Sequence, residues 1–245
     1  LRTNKKKKIL NLYIMNKIAF CVPTTSNKRN WTIAEETDLW RVLFTELTNH
    51  LPTNSDITVF VGYDHDDKVW SDDEQRMKCN AVFDKFKIEW TKFGDEVKGK
   101  PTWIWNDLAK FAIDEGFEYL KILGDDIRLP RDTAWLSCFV NKLKKNQNIG
   151  FVSGWSNNDA IPTQFLVHKT HVEIFDCIYP KEIPNWGCDD YLYQVYPKKF
   201  GQWLKTYPLL NVGGEPRYEV IFSEDFVRAV VRRHKPKLNR FLSSK

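Results

Sequence analysis

The sequence predicts an α/β fold in which a parallel sheet carries helices on both faces. Strand-like and helix-like segments alternate at βαβ spacing through the first half of the chain. The run Ile18-Ala19-Phe20-Cys21-Val22 is continuously apolar and ends at Pro23, as a strand covered on both faces does. Polar turns close the expected strands at Thr24–Asn30, Tyr63–Asp67 and Gly124–Ile127, and open α/β sheets bind ligands at such carboxyl ends. The 245 residues, 42% hydrophobic and 14% aromatic, are ample for one core.

The first strand is expected over 17–23. Thr32 with Glu35 forms a capping-box signature before a helix carrying Leu39, Trp40, Leu43, Phe44 and Leu47. A second strand over 57–61 runs into Gly62-Tyr63-Asp64, followed by a helix over 72–86 and an extended piece over 87–90. After a loop with Gly94, Gly99 and Pro101 comes an amphipathic helix over 103–115, stopped by Gly116. Strands follow over 119–123, 149–153 and 164–167, with helices over 133–145, 170–178 and 191–196. No repeat or long linker divides the chain. The expected organisation is a basic extension over 1–16, one domain over 17–222 and a basic helix or tail over 223–245.

Lysine and arginine number 37 against 32 acidic residues, a net charge of +5 concentrated in Lys5–Lys8 and around Arg228–Arg240. Such runs are solvated ends or contacts to phosphate; with no base-reading module beside them, nucleic acid is not an expected partner. The five cysteines are dispersed with no metal-finger spacing, which points to free thiols in a reducing compartment and a cytoplasmic location. The apolar stretch after Lys8 is broken by Asn11 and by Asn16-Lys17, so neither a signal peptide nor a transmembrane segment is expected.

Chemistry is expected first at Gly124-Asp125-Asp126. Paired carboxylates at a strand end are costly to bury unpaired. They suit a hard divalent cation bridged to a diphosphate, or hydrogen bonds to sugar hydroxyls. The other reading is a turn with two solvated aspartates. Asp64, at the end of another strand, stands in an analogous position and favours the first.

In this order the segments resemble the GT-A family of nucleotide-sugar glycosyltransferases over about residues 17–200. Lys17–Thr25 resembles the opening strand and nucleotide loop, Val59–Asp64 the second strand with its base- or ribose-contacting acid, and Tyr119–Ile127 the strand bearing the DxD motif. Pro162–His171 and Asn185-Trp186-Gly187-Cys188-Asp189-Asp190-Tyr191 resemble an acceptor-side block of glycosyltransferase domains encoded by large DNA viruses of algae. The resemblance implies a Rossmann-like, mixed and mostly parallel sheet in a single domain. It implies transfer of a hexose or deoxyhexose from a nucleoside-diphosphate sugar, UDP-linked, to a glycan hydroxyl with inversion, aided by Mn²⁺ or Mg²⁺. A viral origin would place the protein in host cytoplasm.

By the same resemblance Asp126 is the metal ligand, while Asp125, Asp64, Thr24, Thr25 and Lys100 hold the donor. Gly124 stands where the family has its first acid, which weakens the assignment of Asp125 and leaves the metal requirement open. Inverting transfer needs one carboxylate to take the acceptor proton; Asp190 is the expected base, with Asp189 binding acceptor or capping the helix. Trp186, His168 and His171 are candidate acceptor contacts, the two histidines sharing a helix face at a spacing of three. A sugar nucleotidyltransferase and a non-catalytic nucleotide-sugar or glycan-binding module remain alternatives.

Overall fold

The computed structural model describes residues 16–53 and 55–245. Of the expected basic extension only Asn16 is included; Lys5–Lys8 and the apolar stretch after them lie outside the described residues. The chain runs β1 (Asn16–Thr24), α1 (a π-helical Leu39–Phe44 continued by α-helical Thr45–Asn49), β2 (Ser55–Asp64), α2 (Asp73–Val82), β3 (Lys87–Phe93), α3 (Pro101–Asp114) and β4 (Tyr119–Ile122). It continues through β5 (Ile127–Arg128), α4 (Trp135–Lys145), β6 (Phe151–Trp155), β7 (Leu166–His168), α5 (Thr170–Phe175), α6 (Cys188–Val195), β8 (Gly201–Pro208), β9 (Leu210–Asn211) and α7 (Glu224–Ser243).

Seven strands form one sheet in the order β3-β2-β1-β4-β7-β6-β8, and β5 pairs with β9 in a small antiparallel ribbon. β1 lies at the centre because Ile18 to Val22 are all fully buried, so both faces of the strand must be covered. Ile18, Phe20 and Val22 face a layer that includes Leu43 and Phe44 of α1 and Trp135 and Phe139 of α4. Ala19 and Cys21 face the opposite layer, with Leu108 of α3, Ile174 of α5, Leu192 of α6 and Val230 of α7. The result is a mixed, mostly parallel sheet flanked by helices.

The mixed, mostly parallel sheet that was expected has its antiparallel member at β7, which runs against both β4 and β6. Only residues 156–165 join β6 to β7, and no helix lies among them. A parallel return needs a crossover of about a dozen residues or more, so the chain can only turn back. Leu166 therefore sits at the rim where β4 ends, and His168 beside Tyr119 where β4 begins. β8 and the β5–β9 ribbon were not expected; β8 is only partly buried and its composition carries no alternation strong enough to mark a strand.

Smaller differences have local causes. The Thr32 N–H donates to the carboxylate of Glu36 at 2.6 Å, so Glu36 does the capping expected of Glu35, whose side chain pairs with Lys78 instead. α2 starts on an Asp72 cap that accepts from the Glu74 N–H at 2.8 Å. It stops at Val82, short of the expected 86, where Phe83 leaves helical geometry to reach Phe44 and Phe86. α5 ends early because Asp176 turns left-handed, at φ 67°. The basic tail is α7, capped by Ser223 and packed through Val227, Val230, Val231 and Leu238. All five cysteines are free thiols. Among the described residues no helix is long and apolar enough to cross a membrane.

Phe44 is fully buried and meets Phe83, Phe86 and Trp90 edge-on. Phe44→Ala is expected to cost about 3–5 kcal/mol of unfolding free energy, read as a lower urea midpoint with an unchanged slope.

Candidate active site

β1, β2, β4 and β6 point their carboxyl ends at one rim of the sheet, and a cleft of about 420 Å³ opens there. Trp105 of α3 floors it: its indole N–H reaches the carbonyls of Cys21 and Leu123 at 3.1 Å each and closes the gap between β1 and β4. Thr24, Thr25, Asp64, Lys100, Asp125, Asp126, Trp186, Asp189 and Asp190 all line this cleft. The chain thus gathers residues from 24 to 190 into one cavity.

At its centre stands the turn after β4. The Gly124 N–H donates to Gln164 Oε1 at 3.0 Å, which pins the turn to the start of β7. A Cβ on Gly124 would lie 2.6 Å from Asp126 Oδ1. The Asp126 carboxylate thus folds back over Gly124, and a side chain there would push it aside. Asp125 is buried and accepts from the Thr24 hydroxyl at 2.7 Å. The Arg217 guanidinium grips both its oxygens, Nη1 reaching Oδ2 at 2.7 Å. Such two-pronged pairing is the strongest form of carboxylate recognition.

Arg217 also donates to the Thr25 carbonyl at 2.8 Å and stands 3.8 Å from Asp126 and 3.9 Å from Asp38. Three carboxylates thus crowd around one guanidinium. Burial, and then the charge of Asp125, pushes the Asp126 carboxyl well above the usual carboxylate range; Arg217 offsets this only in part. Burial works against the Arg217 charge, but Asp125, Asp126 and Asp38 together outweigh it and keep the guanidinium protonated.

On the β1–β2 side, Asp64 accepts from the Thr25 hydroxyl at 3.2 Å and from the Asn27 amide at 3.1 Å, and burial raises its carboxyl. Neighbouring Asp67 is wholly consumed by loop structure, accepting from the Ser26 hydroxyl at 2.9 Å and the Val69 and Trp70 N–H groups at 3.0 and 2.8 Å. Lys100 donates to the Glu96 carbonyl at 2.7 Å and lies over the Trp103 ring. Lys98 pairs with Asp66 and Asp95 outside the cleft.

Across the cleft, Gly187 turns the chain at φ 87° into α6, whose first turn carries Asp189 and Asp190. Burial, and then the charge of Asp190, pushes the Asp189 carboxyl up to about 7. Burial raises Asp190 as well, while its own N–H at the helix start lowers it. Trp186 is 49% exposed at the mouth, an uncommitted aromatic face.

The two candidate histidines stand elsewhere. His168 is buried at the opposite rim, where its Nδ1 accepts from the Thr170 N–H at 3.2 Å. His171 is buried between Tyr196, 2.9 Å from Nδ1, and the Ile178 carbonyl, 3.0 Å from Nε2. Both its ring nitrogens are occupied, and burial pushes it down to about 4. Neither lines the cleft. His234 stays on α7, bonded to the Tyr191 hydroxyl at 2.8 Å. Among the described residues, the one three-member cluster with converging metal-type ligands is His65, Asp66 and Asp95, exposed and remote from Asp126.

Gln164 and Asn185, from the two segments that resemble an acceptor-side block, also line the cleft, as do Arg217 and Tyr218, which nothing in the sequence singled out. The Gly213-Gly214-Glu215-Pro216 run marks a loop, but nothing local says that it returns to β4.

No protein-family model matches the sequence, and no curated protein matches it. Solved structures do. S. aureus TarS superposes with a TM-score of 0.57 at 13% identity, over 89% of this chain and 39% of that one. TarS 1-349 in complex with UDP-GlcNAc gives 0.57 at 14% identity, over 90% of this chain and 66% of that one. Mannosyltransferase PcManGT from Pyrobaculum calidifontis, in complex with GDP-Man and Mn²⁺, gives 0.55 at 13% identity, over 94% and 74%. The chain has the GT-A glycosyltransferase fold. It spans well under half the length of full-length TarS.

A carboxyl raised on folding holds its proton in the folded state over the window between its ordinary range and about 7, so stability falls as pH rises through that window. Asp189→Asn removes that loss. The variant is expected to exceed the parent by roughly 1–3 kcal/mol at pH 8, with the difference vanishing below about pH 4; urea unfolding at the two pH values measures it.

Proposed function

We propose that this protein transfers a sugar from a nucleoside-diphosphate sugar, UDP-linked, to the hydroxyl of a glycan acceptor. The observation that carries the proposal is the convergence of two acidic pairs on one cleft in a GT-A fold. Asp125-Asp126 end a central strand, and Asp189-Asp190 begin a helix opposite. A sugar ring with its leaving diphosphate and attacking hydroxyl needs acids at both ends, one set serving the phosphates and one the proton.

A divalent cation fits the first pair. Asp126 offers hard oxygen donors, and Asp125 and Asp38 bring two further carboxylates to the same cluster around Arg217. Asp126 would hold it, and when bound Mn²⁺ or Mg²⁺ would neutralise charge gathering on the diphosphate. Thr24 and Thr25 shape the donor loop, and Asp64 presents a carboxylate where base or ribose would lie. Lys100 reaches the same cavity from the loop before α3. Trp186 offers its open face to a sugar.

Asp190 takes the proton from the acceptor hydroxyl, and Asp189 beside it binds acceptor. Attack from that side, opposite the diphosphate, inverts the anomeric centre. His168 and His171 have no part in this reading, because they lie at the other end of the sheet.

Calorimetry with UDP in Mn²⁺ and in chelator, on parent and variants, tests the proposal together with a transfer assay. UDP is expected to bind at least about tenfold tighter in Mn²⁺, and Asp126→Asn to abolish that difference. Asp190→Asn is expected to keep UDP binding and lose about 10²–10⁴ in transfer rate. Equal UDP affinity in metal and chelator, or turnover retained by the Asp190 variant, would contradict the assignment.

A further inference from the structure

The segment 212–222, between β9 and α7, has no regular secondary structure, yet it is tied across the cleft by side chains. Arg29 holds the Gly213 and Glu215 carbonyls at 3.0 and 2.6 Å. Asn185, itself buried, donates to the Glu219 carbonyl and accepts from the Ile221 N–H, both at 2.9 Å. Between these ties Arg217 descends into the acid cluster, with the face of Trp31 5.5 Å away. A Cβ on Gly213 would come within 2.0 Å of Asp126 Oδ2, so the strap lies directly on that carboxylate.

The strap therefore delivers a positive charge to the very carboxylates that the proposed function reserves for a divalent cation. A guanidinium and a divalent cation a few ångströms apart repel strongly in a partly buried site. Asp125 cannot give both oxygens to Arg217 and also join a metal.

We propose that Arg217 is an internal counter-cation that competes with the divalent cation for Asp125 and Asp126, so that metal entry displaces it and loosens the strap. Asp38 supports this arrangement. Its Oδ2 is buried without a hydrogen-bond partner, 3.9 Å from Arg217, and so brings a third carboxylate oxygen to the cluster that no donor satisfies. With Arg217 seated, the acid pair is held in place in the absence of metal. Once displaced, the guanidinium remains tethered at the cleft mouth, free to meet the diphosphate that accompanies the metal. This inference rests on the reading of Asp126 as the metal ligand, and its test does not depend on turnover.

The test is Mn²⁺ binding without nucleotide, followed by the loss of the free-ion electron paramagnetic resonance signal. Arg217→Gln is expected to bind Mn²⁺ about tenfold or more tighter than the parent, and Arg217→Lys, which keeps the charge, to stay within about threefold of it. Unchanged or weaker binding by the Gln variant would overturn the competition. If that variant does not fold, hydrogen exchange on the unaltered protein decides: Mn²⁺ alone should speed exchange at residues 212–222, and unchanged or slower exchange with Mn²⁺ bound would overturn the proposal. A parent that binds Mn²⁺ but no nucleoside diphosphate would instead count against the glycosyl-transfer reading and leave the competition standing.

Discussion

Two adjacent carboxylates are costly to take out of water at the end of a buried strand unless a cation goes with them or one of them keeps its proton. Much of the architecture around the cleft follows from that constraint. β4 is fully buried, so the turn after it brings Asp125 and Asp126 inside the rim. Thr24 at the end of β1 supplies one hydrogen bond, and Arg217 arrives from far along the chain to supply the charge. Gly124 and Gly213 both lack side chains because Asp126 occupies the space each Cβ would need.

The same rim receives the second acidic pair. α6 starts at a left-handed glycine, so its first turn enters the cleft with Asp189 and Asp190 on successive positions. The long helix α7 packs behind it, Val227 lying against Gly187. The basic tail is thus part of the support for that helix. Its charges serve partly in local pairs, Arg233 with Glu182 and Lys237 with Asp176.

The parallel half of the sheet was legible because its strands are continuous apolar runs ending in polar turns. The acidic corner was legible for the same reason, since Asp64 and Asp125-Asp126 directly follow such runs. Arg217 was not. Its role depends on a contact across ninety-odd residues between an irregular loop and a strand end, and neither periodicity nor propensity encodes that pairing. The helix-face pairing of the histidines does not hold, because His168 ends strand β7 and only His171 lies on α5. The antiparallel turn into β7 carried His168 to the far rim, and only the shortness of the connection before it hinted at that reversal. Gly124 looked like a lost acid in the sequence, whereas in three dimensions it is the residue that lets Asp126 fold back.

The central claim is that the Asp125-Asp126 corner, faced by Asp189-Asp190, forms the donor end of a glycosyl-transfer site. A crystal structure with UDP and Mn²⁺ tests it most directly. The account predicts the ion on Asp126, the uracil or ribose beside Asp64 and the diphosphate pointing toward Asp189-Asp190. A nucleotide bound at the opposite rim near His168, or in the cleft with its phosphates away from Asp126, would contradict it.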